Sequence, residues 1–106
     1  SVKLGRLSLV SLHGTVMWYY LAMKRKHQKV LESIYARPVS GNIQWREIEA
    51  LFVELGAEVS EREGSRVAVV LFGEVRVFHR PHPSPSTDKG AVASIRKWLE
   101  QHGVSP

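Results

Sequence analysis

Residues 65–79 read SRVAVVLFGEVRVFH, and the reading of this stretch decides the fold. Ser65 to Phe72 is apolar and largely β-branched, which predicts a strand buried on much of both faces. Gly73-Glu74 suits a two-residue hairpin turn of type II′, with glycine at its first central position. Val75 to His79 then returns as the antiparallel partner. That turn sets Phe72 opposite Val75, Val70 opposite Val77 and Ala68 opposite His79. Side chains alternate along a strand, so Arg66, Ala68, Val70 and His79 share one face, with Arg66 and His79 as diagonal neighbours. Val67, Val69, Leu71 and Phe78 lie on the other.

Working outward, Glu63-Gly64 is a turn, and Ala57 to Arg62 alternates weakly, as an edge strand does. Upstream, Trp45, Ile48, Leu51, Phe52 and Leu55 recur at helical spacing and predict a helix over Ile43 to Leu55. Asn42 is its expected N-cap, and Gly56 its C-terminal stop. Arg46, Glu47, Glu49 and Glu54 point to water in that reading. Before it, Lys24 to Ala36 carries a stripe of Val30, Leu31, Ile34 and Tyr35 and ends at Arg37-Pro38. Downstream, residues 81–86 (PHPSPS) form a loop. Thr87 or Asp88 caps a last helix running roughly to His102, with Ala91, Val92, Ile95, Trp98 and Leu99 inside. The order α-α-β-β-β-α argues an α+β fold, with helices packed on one face of a three-stranded antiparallel sheet.

The chain has 106 residues, one ordinary domain in length. Its hydrophobic share of 43% and charged share of 24% fit a packed core rather than disorder. It has no cysteine. That excludes a disulfide framework, a thiolate metal site and a cysteine nucleophile. The net charge of +5 permits a polyanionic partner without requiring one.

Residues 7–23 (LSLVSLHGTVMWYYLAM) differ in composition from the rest. A signal peptide would need a small-residue cleavage site, and none is convincing. A membrane span would need about 20 apolar residues, and this run is shorter and interrupted by His13 and Gly14. The favoured reading is an upstream extension or tether, residues 1–22, ahead of a single domain over 23–106 with an added helix at about 24–36. From Met23 onward the counts are 13 basic and 10 acidic residues.

The hairpin gathers Arg66, His79, Arg80 and His82 into a cationic cluster. A phosphodiester suits such a cluster, because a guanidinium matches phosphate oxygens in a fork. Imidazole titrates near neutrality, so it can take a proton from a ribose 2′-hydroxyl and return one to the leaving oxygen. A bland reading competes, in which His79 and Arg66 are ordinary strand-end residues. A zinc site at His79-x-x-His82 is not expected, since cysteine is missing and Asp88 is the only nearby acid. Ser84, Ser86 and His82 lack an orienting carboxylate for a hydrolase triad. Trp45 and Trp98 read as core, and Lys24-Arg25-Lys26 as a solvated helix start able to touch phosphate.

Residues 45–82 (WREIEALFVELGAEVSEREGSRVAVVLFGEVRVFHRPH) and 88–104 (DKGAVASIRKWLEQHGV) resemble the HicA toxins of bacterial toxin–antitoxin systems. The likeness lies in the order and spacing of the Leu-Gly helix end, Gly-Ser turn, hairpin, Lys-Gly helix start and Gly-Val end. It implies a double-stranded-RNA-binding-like fold and a small mRNA endoribonuclease neutralised by a HicB-like antitoxin. Cleavage by the imidazole chemistry above is metal-independent, and the protein is expected to be cytoplasmic, without cofactor or membrane association. The nucleic-acid-binding set under this resemblance is Gly64, Ser65, Arg66, Arg80 and Lys89.

One position departs from the family. Its pattern is Gly-Ser-His, with the histidine catalytic, whereas this chain has Gly64-Ser65-Arg66. Arginine stays protonated above about pH 12 and is no general base. Two readings follow. In one, His79, or His82, supplies the base beside Arg66, and His79, Arg66 and His82 are the catalytic candidates. In the other, the chain is a catalytically impaired RNA-binding or antitoxin-binding module of the same fold.

Overall fold

The computed structural model describes residues 23–106, so the readings made for residues 1–22 lie outside the described residues. Three helices and three strands follow in the expected order: α1 (Arg25–Tyr35), α2 (Trp45–Glu54), β1 (Glu58–Glu61), β2 (Arg66–Leu71), β3 (Glu74–His79) and α3 (Lys89–Gln101). The sheet is antiparallel, with β2 in the centre. This is the α+β architecture expected. Among the described residues no helix is long and apolar enough to cross a membrane.

Helical periodicity in the sequence becomes the buried faces of the helices. His27, Leu31 and Ile34 are buried on α1, Trp45, Ile48, Leu51 and Phe52 on α2, and Val92, Ile95, Trp98 and Leu99 on α3. They close over the inner face of the sheet, where Val67 and Val69 are fully buried. Phe78 of β3 lies among Trp45, Phe52 and Trp98, with ring centroids 5.5, 5.8 and 6.2 Å away. Tilted and offset contacts of this kind add to the area the rings bury. Arg96, which the apolar stripe does not announce, is also buried on α3.

The hairpin register differs from expectation by two residues. Leu71 pairs with Glu74, and Ala68 pairs with Val77 rather than His79. The turn residues are therefore Phe72 and Gly73, with φ of 58° and 74°. Two positive φ values mark a type I′ turn, not type II′. A left-handed phenylalanine costs about 1–2 kcal/mol, but its position is offset by packing. The Phe72 ring stacks on His102 at 4.2 Å and meets the edge of Trp98 at 5.6 Å. Glu74, moved into the strand, accepts a 2.7 Å hydrogen bond from Trp98 Nε1. That bond, with help from His102 and Arg76, holds the Glu74 carboxyl below the ordinary glutamate range.

The start of α2 also differs. Asn42 is not the cap; Gln44 holds that position without a side-chain cap bond. Ile43 and Gln44 are instead drawn into a short antiparallel bridge with residues 85–87. Thr87 N donates to Ile43 O at 2.8 Å, and Trp45 N donates to Pro85 O at 2.9 Å. The bridge satisfies backbone groups that a cap would otherwise serve. At α3, Asp88 is the cap, accepting from Ala91 N at 3.4 Å.

Tyr35 ties α1 to the C-terminal tail, its hydroxyl donating to Val104 O. Burial, with the Glu100 carboxylate nearby, pushes its phenol up to about 12. The folded state thus holds this proton more tightly than the unfolded chain, whose tyrosine titrates near pH 10. The stability it contributes is complete below pH 10 and falls as pH rises toward 12. Urea unfolding at stepped alkaline pH is expected to show this fall in the wild type. Tyr35→Phe should lack that component and lose about 1 kcal/mol at neutral pH. Parallel alkaline profiles for the two proteins would contradict the assignment.

Candidate functional site

Residues 62–66 make the turn between β1 and β2. Gly64 has φ of +68°, a left-handed conformation that glycine adopts without strain. Arg62 N donates to Arg66 O at 2.9 Å across this turn. On the other side of β2, Arg80 N donates to Ser65 O at 2.8 Å. That bond makes 65 and 80 a hydrogen-bonded pair. Alternation then makes Arg66 and His79 a non-hydrogen-bonded pair, whose Cβ atoms sit about 4.5–5.5 Å apart. The diagonal relation expected from the sequence is replaced by a direct one, and the two side chains are closer for it. Both are exposed on the outer face.

The same alternation adds a residue that the sequence reading missed. Arg62, bonded to Arg66 through the backbone, continues the row across the sheet as Arg62, Arg66, His79. Its signal was there in the equal count of residues to either side of the Gly64 turn. Among the described residues no salt bridge engages Arg62, Arg66 or His79. Ala68 and Val77 are the next pair along the strands, so the row stands beside a small residue. Two guanidinium groups and an imidazole thus stand together with donors that no carboxylate among the described residues has taken, a set whose chemistry suits an anion.

The structure separates the other candidates from this pair. Arg80 is on the inner side. Its Nε donates to Glu49 Oε2 at 2.8 Å, and its Nη1 reaches both oxygens of Glu61 at 2.6 Å. The hydrogen bonds it donates, to Glu49 first and then to Glu61, raise the affinity of this guanidinium for its proton. Glu49 was expected to point to water. It is instead part-buried between Arg80 and the Trp45 indole, to which it is hydrogen-bonded. Glu54, also expected in water, lies 3.7 Å from His27. His82 is exposed in the loop after β3. Lys89 opens α3, its stem packed close to Gly41. Trp98, near the other end of α3, touches the Phe72 turn, so Lys89 lies at the Arg66–His79 end of the domain but in the helical layer. Gly64 and Ser65 are exposed in the turn. Among the described residues no group of three or more histidine, cysteine or acidic side chains is placed to hold a metal ion.

The fold and this face define a small α+β domain with an unpaired cationic row at one end of its sheet. Compared with protein families, residues 45–104 match the HicA toxin of bacterial toxin–antitoxin systems. The chain belongs to that family. No curated protein and no solved structure matches it. The matched span begins at α2, so α1 precedes it.

The different roles of the two arginines can be measured. Arg80→Ala leaves Glu49 and Glu61 facing each other without their cation, and is expected to cost about 1–3 kcal/mol in urea unfolding. Arg66→Ala removes no partner and should stay within about 0.5 kcal/mol of wild type. Equal losses in the two variants would contradict these assignments.

Proposed function

We propose that this chain is an RNA-acting toxin of a toxin–antitoxin pair, with Arg66 and His79 as its scissile-phosphate site. The observation that carries the reading is their direct pairing across β2 and β3. At the position where the family's pattern has histidine, Arg66 holds the non-bridging phosphate oxygens. Its fixed charge favours the transition state, in which negative charge grows on those oxygens. His79, one strand across, is the general base. It takes the proton of a ribose 2′-hydroxyl, whose oxygen then attacks the adjacent phosphorus. The bond to the 5′-oxygen breaks, leaving a 2′,3′-cyclic phosphate. The leaving oxygen receives its proton from an imidazolium, either His82 in the exit loop or His79 itself. This chemistry asks for no metal and no cofactor.

The partner side of the proposal follows from charge. A HicB-like antitoxin that lays acidic residues over the Arg62–Arg66–His79 row would exclude RNA by occupying the same donors, and electrostatic attraction would speed its docking. Both would meet the toxin in the cytoplasm. The substitution at Arg66 favours a second reading, a module that binds RNA or antitoxin without cutting, because arginine cannot exchange the proton the reaction needs.

Cleavage of a labelled single-stranded RNA in EDTA separates the two. The first reading expects cutting in wild type and a loss of about 10²–10⁴-fold in His79→Ala. RNA that is bound but left intact by both proteins establishes the second. An Arg66→His variant that cuts where wild type does not would also sink the first.

A further inference from the structure

Positive charge is unevenly shared along this chain. Over residues 45–104, the family-matched span, eight Lys and Arg face nine Asp and Glu. Three of those cations are committed or hidden: Arg80 on Glu49 and Glu61, Arg76 on Glu74, and Arg96 in the core. Over residues 23–44 five basic residues face one acidic residue. Lys24, Arg25, Lys26 and Lys29 of this segment are all exposed. None of them forms a salt bridge among the described residues. The family-matched span alone therefore has the wrong net sign to attract a polyanion, and α1 with its leading lysine reverses it.

The groove beside α1 gives that charge a direction. A cavity of about 300 Å³ between α1 and α2 is lined by Lys26, His27, Val30, Arg46, Glu47 and Ala50. A second, of about 220 Å³, is bordered by the same Arg46 and by Arg80 and Pro81. Arg46 donates through Nε to Gln44 at 2.8 Å, and among the described residues its terminal nitrogens engage no carboxylate. Arg80 is the residue after His79. The two cavities thus meet at Arg46 and lead from α1 to the end of the sheet that bears the cationic row.

We infer that α1 and Arg46 form a docking track for the RNA backbone flanking the scissile phosphate. Lys26 and Arg46 of the lining take phosphates, Val30 and Ala50 beside them meet sugar or base, and Lys24, Arg25 and Lys29 add longer-range attraction. The track rests on the reading of Arg66 and His79 as an RNA site, and it assigns to an element outside the family match the grip on RNA beyond that site. Single-stranded RNA suits it because single strands are held in positively charged grooves that track their backbone.

The test compares Kd for RNAs of about four and about sixteen nucleotides, near the limits of single-strand site sizes. The proteins are wild type, Arg66→Ala and the double variant Lys26→Glu with Arg46→Glu, with melting temperature as the folding control. The double variant should bind the long RNA about tenfold or more weakly, and its salt dependence should be shallower by about 0.7 in log–log slope per lost contact. Its binding of the short RNA should match wild type. Long-RNA affinity unchanged in the double variant, with short-RNA binding still lost in Arg66→Ala, overturns the track and leaves the site standing. Long-RNA affinity that depends on Lys26 and Arg46 but not on Arg66 overturns the site and keeps the track. A double variant that binds RNA like wild type but no longer binds phosphatidylserine vesicles assigns the patch to a membrane surface and overturns the proposal.

Discussion

Arg80 is held from two sides, by Glu49 of α2 and by Glu61 of β1. Those two carboxylates come from elements on different layers of the domain, and the guanidinium joins them just past the end of β3. Its fork of donors is what allows one side chain to satisfy both. Its backbone N–H meanwhile bonds Ser65 O, which fixes the register at the open end of the β2–β3 ladder. Glu49 in turn accepts from the Trp45 indole, and Trp45 N is held by Pro85 O at the close of the proline-rich loop. One cation therefore connects helix, edge strand, central strand and loop. The pairing of Arg66 with His79 on the opposite face inherits its geometry from that arrangement.

The elements were legible where burial and periodicity agree. α1, α2 and α3 each carry an apolar stripe, and each was found within two residues of its bounds. β2 was legible because nothing else accounts for six nearly uninterrupted apolar residues. The register was not, because it depends on contacts distant in sequence. Gly73-Glu74 has the local chemistry of a turn, whereas Phe72-Gly73 becomes one through the His102 and Trp98 rings. Asn42 failed as a cap for a similar reason: the loop at residues 85–87 reaches the helix start first. Glu49 was assigned to water because a carboxylate beside an apolar stripe usually is solvated, and its partner lies 31 residues away.

The candidate site was half legible. Arg66 and His79 were placed on one face because alternation survives a register shift of two residues. A shift of one would have put them on opposite faces. Their separation was misjudged, and the correction shortens it. Arg80 was grouped with them by sequence adjacency, which in a strand means the other face. Sorting the arginines by partner rather than by position restores the chemistry. Arg80 has two carboxylates and serves the fold, while Arg66 and Arg62 have none among the described residues and remain available to an anion.

A histidine at position 66 would unite phosphate contact and proton transfer in one group, whereas arginine permits only the first. The structure places an imidazole across the ladder from the arginine, so the two roles can be divided between paired strands. His82 stands in the exposed loop after β3, and the far end of that loop is pinned to α2 through Pro85 and Trp45. That pinned loop also borders the groove leading to α1. Under the proposed reading the cationic row would carry the chemistry, and α1 with Lys24 would turn the net charge of the family-matched span from negative to positive.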